Sequence, residues 1–230
     1  MEYQQKIKRI LTSLDQNDQI LKAVALRIDN EALRHAKQFD EEQIFEKNKT
    51  FLDGLPIAVK DIIDLQNYPT VSGSKTRLQN PPATIDASVI KNLKAAGAIP
   101  VVKTQTVEFA IGGWGTNYTL GTPSNPWNTE MPHAPGGSSS GTGVLVGAGI
   151  VPAGLGTDTG GSIRIPASFC GCVGLKTSIG SVSRTGVTPI SETLDTIGPM
   201  TQSVEMAAKM FQVMQGPDIK DKTTYGYRHQ

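Results

Sequence analysis

Apolar positions in the first forty residues recur at helical spacing. Ile7, Ile10, Leu11 and Leu14 fall on one face of a helix over residues 3–14, with Lys6, Lys8 and Arg9 among its polar positions. A second helix is expected from about Asp29, whose side chain can cap it, with Leu33, Ala36 and Phe39 turned inward. The period then changes. Ile57-Ala58-Val59 is a short run rich in β-branched residues and predicts a strand that ends on Lys60. Residues 69–82 read as loop. Val89, Ile90 and Leu93 place a helix over 87–96, stopped by Gly97, and 99–102 read as a strand. Residues 106–111 suggest a short helix before Gly112-Gly113. Strand, helix and strand at this spacing predict a βαβ unit. Residues 112–131 lack any period, and a loop that long tends to be functional. Residues 144–155 are apolar and uncharged, 166–175 stay small and apolar, and 176–189 read as strands and turns. Ser203 is placed to cap a last helix carrying Val204, Ala207, Met210, Phe211 and Met214, with Gly216 past its end. The polar tail from Pro217 is expected to fray.

Length and charge narrow the class. The chain's 230 residues suit one large domain or two small ones. A single domain over 1–230 is expected, with an N-terminal helical segment (1–45), a core (46–216) and the tail (217–230). Twenty-two basic against 21 acidic side chains leave no electrostatic footprint for nucleic acid or a membrane surface. The longest apolar run is shorter than the roughly 20 residues of a membrane span, and no signal-like segment opens the chain. A cytoplasmic location is the expectation. Cys170 and Cys172 are one residue apart, too close for an ordinary bridge, and read as small core fillers. Three unclustered histidines give no zinc pattern, so neither metal nor cofactor is expected.

The chemistry concentrates between Gly136 and Arg164. Gly136-Gly137-Ser138-Ser139-Ser140-Gly141 opens this stretch, and Thr157-Asp158-Thr159-Gly160-Gly161-Ser162-Ile163-Arg164 closes it. Glycine is costly inside regular elements, so this many implies a backbone that must approach something closely, such as a ligand or an oxyanion. Neither cluster matches a phosphate-binding loop, which favours a serine-based centre. Residues 137–141 fit G-x-S-x-G, but no strand precedes them, as a nucleophile elbow requires. A histidine base is poorly served: His229 lies in the tail, and His133 has no evident orienting carboxylate. Lysine remains, provided burial lowers its ordinary value of ~10.4 toward neutrality. Lys60 and Lys103 each follow a strand-like run, and the pattern alone hardly separates them. A solvated lysine at a strand end is the ordinary alternative for either.

Residues 54–61 (Gly-Leu-Pro-Ile-Ala-Val-Lys-Asp), 135–141 and 155–167, followed by 171–176 and 194–200, resemble in order the segments of the amidase signature family, including the branch that resembles the A-type component of tRNA-dependent amidotransferases. The resemblance implies an α/β fold with a mixed β-sheet flanked by helices. It implies a Ser–Ser–Lys triad in which Ser162 is the nucleophile, Ser138 a bridging serine on a cis peptide, and Lys60 the general base. The amides of Thr159, Gly160, Gly161 and Ser162 would hold the oxyanion. Asp158, Arg164 and Ser139 would support the loop. The implied reaction is hydrolysis of the C–N bond of a small linear carboxamide through an acyl-enzyme.

Typical family members are much longer, and the segments after the last helix are missing here. The expected fold is therefore C-terminally incomplete, covering the N-terminal half to two-thirds, with a sheet edge or apolar face left open. His133 also stands where many relatives carry arginine. Three readings follow: an amidase acting alone, as a homo-oligomer or with a partner supplying the missing half; a catalytically incompetent fragment; and an unrelated glycine-rich module that binds anions.

Overall fold

Alternation of side chains decides how the chain layers. In the computed structural model, which describes residues 2–43 and 51–227, the strand at Pro56–Lys60 (β2) is buried at every position. Ile57 and Val59 enter one hydrophobic cluster and Ala58 the other, as the two-residue period of a strand requires. A helix at Ser88–Ala95 (α3) and one at Val204–Met214 (α6) pack Val89, Ile90, Leu93, Met210 and Met214 on the first face. The second face is covered by helices at Glu2–Leu21 (α1), Asp29–Gln43 (α2) and Ser140–Gly147 (α4). The helices therefore flank the sheet on both sides.

Among the described residues the sheet has six strands: Val24–Arg27 (β1), β2, Ile99–Thr104 (β3), Ala153–Asp158 (β4), Val173–Gly174 (β5) and Thr196–Thr201 (β6). Their spatial order is β1-β3-β2-β4-β6-β5. β3, β2 and β4 run parallel, while β1, β6 and β5 pair antiparallel, so the sheet is mixed. The β2–α3–β3 unit is the βαβ expected from the spacing. A short helix at Arg164–Cys170 (α5) follows β4, ended by Gly171 in the left-handed region at φ 74°.

Several elements depart from the sequence reading. The first helix runs on to Leu21, and β1 has only four residues, none of them buried, too few for a period. Asp29 does not cap α2; its carboxylate takes both Nε and Nη2 of Arg27 at 2.8 Å. The apolar run 144–155 splits into the end of α4 and the start of β4, because Gly147, Gly149 and Pro152 break it between. No strand forms over 176–189, where Val182 and Val187 make only isolated bridges. The strand comes later, as β6. The tail, expected to fray, is folded back through residue 227. Asp218 accepts hydrogen bonds from Ser88 and Ser183, both at 2.6 Å, and Asp221 accepts from the Arg184 amide at 2.8 Å. The Ser203 cap does form, its hydroxyl accepting from the Met206 amide.

Candidate active site

The parallel strands β2 and β4 end side by side, and the carboxyl ends of such strands are where α/β sheets gather ligand-facing groups. Lys60 is the last residue of β2 and has no exposed surface. Its Nζ lies 2.7 Å from Ser138 Oγ and donates to Thr157 Oγ1 at 2.8 Å. Burial pulls the Lys60 amine down to about 7, with Asp158 and Asp195 only partly opposing. An amine at that value is substantially neutral at physiological pH and can accept a proton.

Ser138 is fixed from several sides. The Gly137–Ser138 peptide bond is cis. The Ser138 carbonyl accepts from Thr106 Oγ1 at 2.8 Å and from the Val107 amide at 3.3 Å. Gly137 donates its amide to Gly113 O at 2.7 Å, and a side chain there would lie 2.6 Å from Gly115 N. Only glycine admits that loop so close. Ser139 then leads into α4, which begins at Ser140.

The Thr157–Arg164 loop is built around one carboxylate. Asp158 is fully buried, and burial alone would raise it. The Arg164 guanidinium, with the amides of Ile163, Gly161 and Arg164, instead holds it below the usual carboxylate range. Gly161 donates to Asp158 Oδ1 at 2.8 Å, so its N–H, expected among the oxyanion donors, is already taken. The amides of Thr159, Gly160 and Ser162 have no acceptor among the described residues. The space beside Gly160 is open. Asp195 steadies the loop from outside, accepting the Thr159 hydroxyl on Oδ1 and the Ile190 and Ser191 amides on Oδ2.

Lys60 and Ser138 therefore meet directly. Ser162 joins them through its backbone: its carbonyl accepts from the Ser139 amide at 3.1 Å, while its half-buried hydroxyl has no hydrogen bond among the described residues. Ser139 Oγ lies 3.3 Å from both the amide and the carbonyl of Thr157. Lys103 is drawn elsewhere. It forms a 2.7 Å ion pair with Asp61 Oδ1 and donates to Pro69 O and Thr70 Oγ1. His133 is exposed.

Some of the glycines serve packing. A side chain on Gly154 would meet Thr142, and one on Gly156 would meet Ser139, so these two let α4 press onto β4. Sequence reasoning missed Thr157, Thr106 and Asp195. The signal for Thr157 was its place two residues after Leu155, but it needed β4 to be read as a strand first.

A cavity of about 220 Å³ opens beside this cluster, lined by Thr157, Asp195, Ile62, Val187, Ile190 and Ile197 among others. Burial pushes the Cys170 thiol up to about 12 and the Cys172 thiol up to about 11, which leaves neither reactive at neutral pH. Among the described residues no cluster of three His, Cys, Asp or Glu is placed to hold a metal, and no helix is long and apolar enough to cross a membrane.

The mixed six-stranded sheet with helices on both faces is an α/β fold that matches solved amidase structures. The amidase family model matches residues 5–229, and the chain belongs to that family. It is 41% identical over 218 residues to the A-type component of the glutamyl-tRNA(Gln) amidotransferase from Maridesulfovibrio salexigens, covering 95% of this chain and 44% of that protein. Native peptide amidase from Stenotrophomonas maltophilia superimposes with a TM-score of 0.89 at 34% identity, over 100% of this chain and 47% of that one. A chain from an inhibitor-bound vestigial complex, tied to the origins of an s-triazine catabolic enzyme, superimposes with a TM-score of 0.96 at 37% identity, over 99% and 50%. The chain thus spans about half the length of the relatives it matches.

Proposed function

We propose that this chain carries a Ser162–Ser138–Lys60 triad that cleaves the C–N bond of a small carboxamide through an acyl-enzyme. The observation that carries the reading is the buried contact between Lys60 Nζ and the hydroxyl of Ser138, at 2.7 Å, one residue from the Ser139 amide that holds Ser162. Neutral Lys60 takes the Ser138 proton while Ser138 takes the proton of Ser162, whose Oγ bonds to the amide carbon. The relay requires the Ser162 hydroxyl to turn toward Ser138 Oγ. The carbonyl oxygen becomes an oxyanion facing the amides of Thr159, Gly160 and Ser162, each such donor typically worth ~10²–10³ in rate. The intermediate collapses, the C–N bond breaks, and the proton returns through Ser138 to the leaving amine. Water then cleaves the Ser162 ester by the same relay.

A second reading is favoured by the span of the chain, since it matches only 44% of a relative whose name marks it as one component of an amidotransferase. In it the triad is assembled here but turns over only when a further polypeptide or a second copy completes the substrate pocket. Fluorophosphonate labelling of Ser162, with Ser162→Ala as control, tests the triad. Ammonia release from a panel of simple amides tests turnover. Labelling with release supports the first reading, and labelling without release supports the second. An unlabelled, folded protein overturns both.

A further inference from the structure

The proposed base is held by two hydroxyls, and only one belongs to the proton relay. The other is Thr157 Oγ1, which accepts from Lys60 Nζ at 2.8 Å. Thr157 is itself clamped. Pairing between β2 and β4 ends at Val59 and Leu155, leaving the Thr157 peptide without a partner strand on that side. Ser139 fills the gap: its Oγ accepts from the Thr157 amide and donates to the Thr157 carbonyl. Ser139 directly follows Ser138, so the same turn that presents the relay serine also fixes the threonine on the other side of the amine.

A neutral amine has two N–H bonds and one lone pair. If one N–H is spent on a fixed acceptor, the remaining freedom of the lone pair is small. We infer that Thr157 is a positioning residue: its hydroxyl takes an N–H of Lys60 and so turns the nitrogen lone pair toward the Ser138 proton. This rests on the reading of Lys60 as the base. Thr157 touches no reacting atom in the relay; it acts through the lysine. The charged groups facing the amine, Asp158 at the end of β4 and Asp195 before β6, are untouched by a change of the Thr157 hydroxyl.

Valine keeps the shape of threonine and removes the acceptor. The test follows the Lys60 side-chain carbon signal by NMR in the whole chain, with lysine isotope-labelled and Lys60 identified by its loss in Lys60→Met. A hydroxyl acceptor favours the ammonium over the amine, so Thr157→Val should lower the Lys60 midpoint by ~1 unit from about 7. Fluorophosphonate labelling at its high-pH plateau should fall by ~10-fold, because the lone pair is no longer aimed. Thr157→Ser should restore both. An unchanged midpoint and plateau in folded Thr157→Val overturns the inference, as does Thr157→Ser behaving like Thr157→Val. Should Thr157→Val not fold, Thr157→Ala carries the same readouts. Failure of the wild-type protein to label sinks the triad reading, whereas the NMR midpoint still judges the grip of Thr157 on the amine.

Discussion

Two lysines lie buried at the ends of neighbouring parallel strands, and their surroundings make them opposites. Lys60 on β2 pairs in register with Thr104, and Lys103 on β3 with Val59, so one residue separates them along the sheet. Neither has exposed surface. Among the described residues the Lys60 amine hydrogen-bonds to two neutral hydroxyls, and burial, only partly opposed by Asp158 and Asp195, pulls it down to about 7. Lys103 meets a carboxylate. Burial drags its ammonium down and the Asp61 carboxyl up, each against their mutual attraction at 2.7 Å. One amine is left close to neutrality, and the other ties Pro69 and Thr70 to β3, beside the strand that ends on Lys60. The difference comes from partners, not from depth.

Four substitutions press on that contrast. The largest effect is expected from Lys60→Met on chemistry: fluorophosphonate labelling of Ser162 should fall by ~10²–10⁴, the usual worth of a general base. In the wild-type protein labelling should climb about tenfold per pH unit up to about 7 and then level off. Lys103→Met should leave that profile in place. Its cost is stability, about 3–5 kcal/mol by chemical denaturation, since Asp61 loses its buried partner. Pairing it with Asp61→Asn should recover part of the loss, and a double-mutant cycle measures how much.

Stability should also change sign between the two lysines. Between about pH 7 and 10.5 the unfolded chain keeps the Lys60 proton and the folded chain does not, so stability contributed by this group rises with pH across that window. Below 7 its burden is fully present. Lys60→Met should therefore stabilise the neutral-pH protein by roughly 0.5–2 kcal/mol and abolish that pH slope. The smallest effect is expected from Thr70→Val, which removes one acceptor from Lys103. It should cost about 1 kcal/mol and leave labelling unchanged, unlike the equivalent change at Thr157.

How much of this could be read from the chain depends on what fixed each feature. Helices with a clear apolar stripe, such as α3 and α6, were legible, and so was the buried strand that ends on Lys60. Local period sets those. The glycine–serine segments marked the candidate site because their composition has few other uses. The choice between Lys60 and Lys103 was not legible from pattern, since it turns on Asp61 and Ser138, which lie one and 78 residues from Lys60. Thr157 and Asp195 escaped because β4 and β6 are short and glycine-interrupted, with Gly154, Gly156 and Gly198 blurring the alternation. Gly161 looked like an oxyanion donor on sequence, and only the position of the Asp158 carboxylate revealed where its hydrogen goes. The folded tail depended on Ser88, far away in the chain.

Both tryptophans sit in the long loop after the short turn at Glu108–Ala110, Trp114 at 70% and Trp127 at 73% exposure. The indole of Trp127 lies where any side chain on Gly171 would intrude. Intrinsic emission therefore watches the rim of the molecule and not its interior. A melt followed by fluorescence would register the loop lifting from the end of α5, and circular dichroism is the signal to use for the cooperative loss of the sheet.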